Sequence, residues 1–134
     1  MKKLAFLVCT LTMLALVPGC ADGDEGGECV AGVACICRED CSRTCGGSGA
    51  DCAFECHDGA TCSFTCPGGG CGGESFGAAS MTLSCAGDGC GLNCHDTDSC
   101  QITDCEMGCA LQCGGAGTCE NSCSPFDGGC ATTP

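Results

Sequence analysis

The chain has 134 residues, among them 22 Cys and 24 Gly, with five Phe and no Trp or Tyr. Seventeen Asp and Glu stand against four Lys and Arg, a balance that repels nucleic acid and anionic lipid. Large apolar side chains are too few for an ordinary core, and cysteine at this density marks a disulfide scaffold of an oxidising compartment.

The first expected element is an address. Met1-Lys2-Lys3 supplies a positive start, Leu4–Val17 an apolar run, and Pro18-Gly19-Cys20 the end. This is the pattern of a secretion signal, helical in transit and then removed; it is too short to span a bilayer comfortably. The segment Val17-Pro18-Gly19-Cys20 resembles the lipobox of bacterial lipoproteins, with Pro18 departing from the usual small or β-branched residue. That resemblance implies cleavage before Cys20, a diacylglycerol on its thiol, and a membrane partner reached through the lipid. Ala21, rather than an Asp, favours the outer membrane or cell surface under the same resemblance. The alternative is an ordinary signal peptide cut after Ala21. Either way the expected organisation is a signal over 1–19, a lipidated Cys20 with a flexible acidic tether over 20–28, and a Cys-rich repeat domain over 29–134. Twenty cysteines follow Cys20, an even number that permits ten bonds with no thiol left over.

From Cys41 onward the chain divides into units of nine to eleven residues beginning at Cys41, Cys52, Cys62, Cys71, Met81, Cys90, Cys100, Cys109, Cys119 and Cys130. Most begin with Cys and apolar residues in alternation, as in CAFEC, CSFTC, MTLSC, CGLNC and CALQC. Strict alternation over five residues predicts a short strand with Cys, apolar and Cys on one face. The intervening HDGAT, PGGG, AGDG, HDTDS and GGAGT are turn chemistry. A period of this kind signals a solenoid.

Stacking at about 19 residues aligns more than stacking at ten: His57-Asp58 falls on His95-Asp96, two coils apart. Outward residues sort by face. One face carries Ala53, Gly72, Gly91 and Ala110 beside Glu55, Glu74, Asn93 and Gln112. The other carries Ser42, Ser63, Thr82, Gln101 and Glu120 beside Thr44, Thr65, Ser84, Thr103 and Ser122. The expected fold is therefore all-β: a small, disulfide-stapled, two-faced β-solenoid with one strand of each coil on each face.

One coil lacks two cysteines, at Ser75 and Met81, which end one strand and start the next. Joint loss is what a bonded pair produces. The rule gives Cys56–Cys62, Cys94–Cys100 and Cys113–Cys119 across one set of turns. Across the other it gives Cys45–Cys52, Cys66–Cys71, Cys85–Cys90, Cys105–Cys109 and Cys123–Cys130. Cys29, Cys35, Cys37 and Cys41 remain for two further bonds. Bonds between stacked strands are the rival, because neighbouring strands about 4.8 Å apart lie within disulfide reach. The expected inward residues are Arg43, Phe54, Phe64, Gly73, Leu83, Leu92, Ile102, Leu111 and Asn121, polar only at the two ends. Phe76 is expected to fill the space beside Gly73.

Constellations for chemistry are sparse. Only Cys35-Ile36-Cys37 has the close pairing of a thiolate metal cluster, and no zinc-knuckle spacing occurs. His57-Asp58 and His95-Asp96 stand about 10 Å apart by stacking, too far to share an ion; solvated turn residues are the plainer reading. Asp88, Asp96, Asp98, Asp104, Glu106 and Asp127 crowd the turns. They read first as solubilising charge and second as oxygen ligands for a divalent cation, calcium or zinc. Two short strands per coil resemble calcium-binding β-rolls, but Gly69-Gly70-Cys71-Gly72-Gly73-Glu74 imitates their signature poorly. The Ser/Thr face resembles insect antifreeze solenoids, a likeness that Gln101 and Glu120 break. No nucleophile stands with a positioned base, and stacking on sugars would want Trp or Tyr, so no enzyme and no cofactor are expected. Across most of its length the chain is similar to the cysteine-rich repeat lipoproteins of Gram-negative envelopes. That resemblance implies a structural or interaction role toward another envelope component. The native protein is expected to gain two hydrogens for each of ten bonds on reduction and to carry the lipid mass on Cys20; intact mass before and after reduction reads both.

Overall fold

The structure, a computed structural model, describes residues 27–123 and 130–134. The signal segment, Cys20, the tether up to residue 26 and Asp127 lie outside the described residues.

Every regular element described is a strand. One six-stranded sheet, sheet 1, holds β1 (Gly27–Cys29), β3 (Cys41–Cys45), β5 (Thr61–Cys66), β7 (Ser80–Cys85), β9 (Ser99–Thr103) and β11 (Thr118–Asn121), in that order. The second, sheet 2, holds β2 (Ala34–Cys37), β4 (Ala53–His57), β6 (Gly72–Phe76), β8 (Gly91–His95), β10 (Ala110–Gly114) and β12 (Ala131–Thr133). The chain visits the sheets in turn, and all neighbours pair in parallel. Thr61 pairs with Ser80 and Ser80 with Ser99, the 19-residue step of the sequence repeat. The fold is the disulfide-bonded, two-faced β-solenoid that the alternation predicts.

The ladder starts earlier than the expected boundary at residue 29. Gly27 and Glu28 belong to β1, in register with Arg43 and Thr44. Strand β2 also eluded the repeat. Cys35 occupies the place that Phe54 holds one coil later, and Cys37 the place of Cys56. A cysteine where three later coils have Phe54, Leu92 and Leu111 hides the motif.

Between the sheets lies a thin interior. Phe54 and Phe64 stack across it with ring centroids 4.5 Å apart, and Leu83, Ile102 and Leu111 are fully enclosed. Polar residues close the two ends. Arg43 is buried beneath Gly27, where a Cβ would come within 2.7 Å of its Nη1. Asn121 donates through Nδ2 to the carbonyls of Cys109 and Ala131, both at 3.3 Å, and its Oδ1 accepts from the Cys123 amide at 3.1 Å.

Ten disulfides run along the bends, each joining two consecutive cysteines with Cα atoms 5.8–6.5 Å apart, within the ordinary range for an unstrained bridge. At the bends leading from sheet 1 to sheet 2 they are Cys29–Cys35, Cys45–Cys52, Cys66–Cys71, Cys85–Cys90, Cys105–Cys109 and Cys123–Cys130. At the return bends they are Cys37–Cys41, Cys56–Cys62, Cys94–Cys100 and Cys113–Cys119. The pairs coincide with those of the turn rule, and the four leftover cysteines pair in chain order.

The interrupted bend is filled by other chemistry. Ser75 is buried and shares a hydrogen bond with the Thr97 hydroxyl, which donates in turn to the His95 carbonyl at 3.2 Å. Met81 is buried opposite. A Cβ on Gly73 would lie 2.7 Å from Met81 Cε and 2.9 Å from Leu92 Cδ1. Met81 and Leu92 therefore fill the space beside Gly73, and the expectation for Phe76 is corrected: its ring projects from the outer face. It follows Ser75, and the alternation that turns Ser75 inward turns Phe76 outward.

Turns stack backbone on backbone. Gly70 donates to the Asp88 carbonyl at 2.9 Å, and a Cβ on Gly87 would sit 2.5 Å from the Gly68 carbonyl carbon and the Gly69 nitrogen. Only glycine admits that approach. Replacing Ser75 and Met81 together by Cys is expected to form an eleventh bridge, seen by intact mass and by the absence of alkylatable thiols. The melting temperature is not expected to rise. Closing so short a loop contributes about 2 kcal/mol, and truncating a buried Met costs about 2–5 kcal/mol.

Candidate interaction face

The outer surface of sheet 2 presents three columns, because its strands stack in register and alternate residues point outward. The first is a strip of small residues, with Ala53, Gly72, Gly91 and Ala110 at its centre. The second holds Glu55, Glu74, Asn93 and Gln112, with Ile36 before them and Thr133 after. The third holds His57, Phe76, His95 and Gly114.

The small strip is the floor of a shallow groove of about 370 Å³, with Glu55, Glu74, Asn93 and Gln112 along one side. Nothing lies within 4 Å of a Cβ placed on Gly72 or Gly91, so another molecule can come directly onto the sheet there. The sequence pattern places this strip on one face together with the polar column beside it. The structure adds the depth of the groove and the aromatic column.

Phe76 stacks on His57 and on His95, with ring centroids 5.1 Å apart in each case and interplanar angles of 23° and 8°. The repeated His-Asp pair is thus linked through a ring on the coil between, not through an ion. His57 Nε2 lies 3.0 Å from Glu55 Oε2. Arg38, which follows the strand residue paired with Cys56, donates from Nη1 to Asp58 Oδ2 at 3.0 Å. Both ends of that pair are exposed, and such pairs stabilise by at most about 1 kcal/mol. Asp58 and Asp96 adopt left-handed backbone angles, φ 59° and 49°, a conformation Asp tolerates better than most residues. The Asp of each His-Asp pair therefore begins the turn. The signal for the aromatic column was present in the 19-residue alignment, where Phe76 falls midway between the two His; treating Phe76 as core concealed it.

The acidic turn residues are not gathered. Asp88, Asp104 and Glu106 lie at bends from sheet 1 to sheet 2, and Asp96 and Asp98 at a return bend. Asp88 Oδ1 accepts from the Met107 amide at 3.0 Å. Asp104 Oδ2 accepts from the hydroxyls of Ser84 at 2.7 Å and Thr103 at 3.1 Å. These carboxylates are turn acceptors. Among the described residues the trios close enough to share an ion are Cys37, Cys41 and Cys62, and Cys85, Cys105 and Cys109. All six are disulfide-bonded, and a bridged sulfur offers no thiolate.

Sheet 1 is the hydroxyl face. Beside the two predicted columns stands a third, Thr61, Ser80, Ser99 and Thr118. Gln101 donates to Glu120 at 2.9 Å across this surface, so two bulky side chains interrupt the middle column. Among the described residues no helix is long and apolar enough to cross a membrane. Comparison with protein-family models, curated proteins and solved structures returned no match for this chain. Replacing Phe76 by Ala is expected to remove the upfield ring-current shifts of the His57 and His95 imidazole protons and to lower stability by about 0.5–1.5 kcal/mol for the lost stacking; proton NMR and thermal melting check the two effects.

Proposed function

We propose that this chain is a lipid-anchored cell-envelope protein with a structural or interaction role, its solenoid a stiff spacer that offers the groove of sheet 2 to another envelope component. The observation that carries the reading is the grooved, ring-flanked face on a scaffold held by ten bridges. Bridges at this density belong to an exported protein, since a reducing cytosol would open them. The address rests on the sequence: the lipobox-like Val17-Pro18-Gly19-Cys20, then acidic, Gly-rich residues 21–26 as tether. Outer membrane or cell surface is the location this reading favours.

No catalytic residue belongs to the reading. His57 and His95 are engaged in ring stacking, and a nucleophile held by a positioned base is not part of the face. A rigid scaffold with side chains in fixed rows suits recognition, because little is lost in ordering it when a partner binds. Replacing Cys20 by Ser is expected to abolish metabolic labelling by a palmitate analogue and to move the protein from the membrane to the soluble fraction, with all ten bridges retained. A variant that keeps the label, or a wild-type chain that never takes it, would overturn the anchored reading.

A further inference from the structure

The first coil differs from the others in its apolar surface. Among the described residues five large apolar side chains are exposed, and three of them, Val30, Val33 and Ile36, fall in one seven-residue stretch. Of the other two, Phe76 is stacked between two rings and Met107 sits at a bend toward the far end. Val30 and Val33 are the most exposed of the five, at 67% and 51%.

These two Val stand at either side of the bend from β1 to β2. The Val33 amide donates to the Val30 carbonyl at 3.1 Å, Gly32 takes φ 81°, and the Cys29–Cys35 bridge closes the bend at its base. The pair is therefore carried on a fixed tip. Equivalent bends read Gly46-Gly47-Ser48-Gly49-Ala50-Asp51, Pro67-Gly68-Gly69-Gly70, Ala86-Gly87-Asp88-Gly89 and Glu106-Met107-Gly108. None of them has a β-branched residue. Turn geometry does not ask for valine, which suits strands instead, so the pair is explained by something outside the coil.

Position names that neighbour. Strands β1 and β2 are the terminal strands of the two sheets, at the end where the chain enters. Cys20 lies seven residues before Gly27, a span of at most about 25 Å. A lipid on Cys20 thus holds the first coil beside the bilayer and makes further contact intramolecular, for which a small apolar patch is enough. The opposite bend of this coil is Arg38-Glu39-Asp40, exposed and charged, which an apolar boundary rejects. The free edges of β1 and β2 also stay among hydrated headgroups, since open sheet edges do not enter hydrocarbon. Contact is restricted to one side of the coil and to the depth of the Val side chains.

Resting on the anchored reading, we infer that the Val30–Val33 bend is a membrane-contact site. Its Val side chains enter the interface of a zwitterionic bilayer, and the solenoid leans on that bend instead of swinging freely from its lipid. Asp22, Asp24, Glu25 and Glu28, close by in sequence, disfavour an anionic surface.

The test places the native lipidated chain in phosphatidylcholine nanodiscs that carry a lipid spin-labelled near the top of its acyl chain, and reads the paramagnetic relaxation of backbone amides by NMR. Tether reach alone brings both bends of the first coil equally near the lipid, so their ratio reports the lean. Amides of Val30, Ala31, Gly32 and Val33 are expected to relax at least tenfold more strongly than those of Glu39 and Asp40. Val30→Ser with Val33→Ser is expected to bring the ratio within twofold of unity, with the lipid, bridges and melting temperature retained. Met107→Ser, which removes an exposed apolar side chain from a distant bend, is expected to leave the ratio unchanged. Equal relaxation at the two bends of the parent, or a ratio that survives the double Ser variant, would overturn the proposal. So would a Cys20→Ser chain that sediments as a dimer and becomes monomeric with the two Ser substitutions, which would make the occupant a second copy. Palmitate labelling separates the two readings: a labelled chain without the lean removes only the contact site, and a chain that never takes the label removes the anchor and the contact together.

Discussion

The structure depends on a covalent constraint at every bend but the one between Ser75 and Met81: a cysteine at the end of one strand is bonded to a cysteine at the start of the next. A strand of five residues cannot hold itself in water, and the interior here is one side chain deep. The bridges limit how far the unfolded chain can open, each contributing about 2 kcal/mol on the chain-entropy account. Because all strands but β6 are fixed to their successors at nearest range, the coils stack with their residues aligned, and a sequence with few large apolar residues forms two sheets.

Alignment of coils is also what creates surfaces. Parallel, in-register strands turn any residue preference of one coil into a column. Sheet 2 gathers small residues, then carboxylates and amides, then rings, while sheet 1 gathers hydroxyls. A loop-rich disulfide protein would scatter the same composition. The columns end with restraint: terminal strands β1, β2, β11 and β12 have three or four residues where the inner ones mostly have five or six. Short edge strands offer little backbone for another copy to extend the sheets.

The legible part of this molecule was the part governed by period. Alternation gave the strands, the joint absence of cysteine at Ser75 and Met81 gave the bridge rule, and the 19-residue stacking gave the faces. What escaped depended on exceptions to the period. Strand β2 carries Cys35 in the column that holds Phe54, Leu92 and Leu111, so its sequence does not look like a member. Phe76 was read as core because a ring is expected inside, although its place in the alternation turns it outward. The third hydroxyl column precedes each cysteine motif and was counted as turn. The grouping of the acidic turn residues depends on which bend each occupies; Asp88 and Asp104 fall at one set of bends and Asp96 and Asp98 at the other. In one dimension those bends look alike.

Pairing in strict chain order has a consequence for biogenesis. A polypeptide crossing a membrane emerges from its N-terminus, and every cysteine of this ladder meets its correct partner as the next cysteine to appear, four to seven residues later. An oxidant that joins thiols in order of arrival makes the native set without proofreading, whereas six cysteines alone admit 15 arrangements when they arrive together. The arrangement thus transfers the choice among partners from a shuffling enzyme to the direction of translocation.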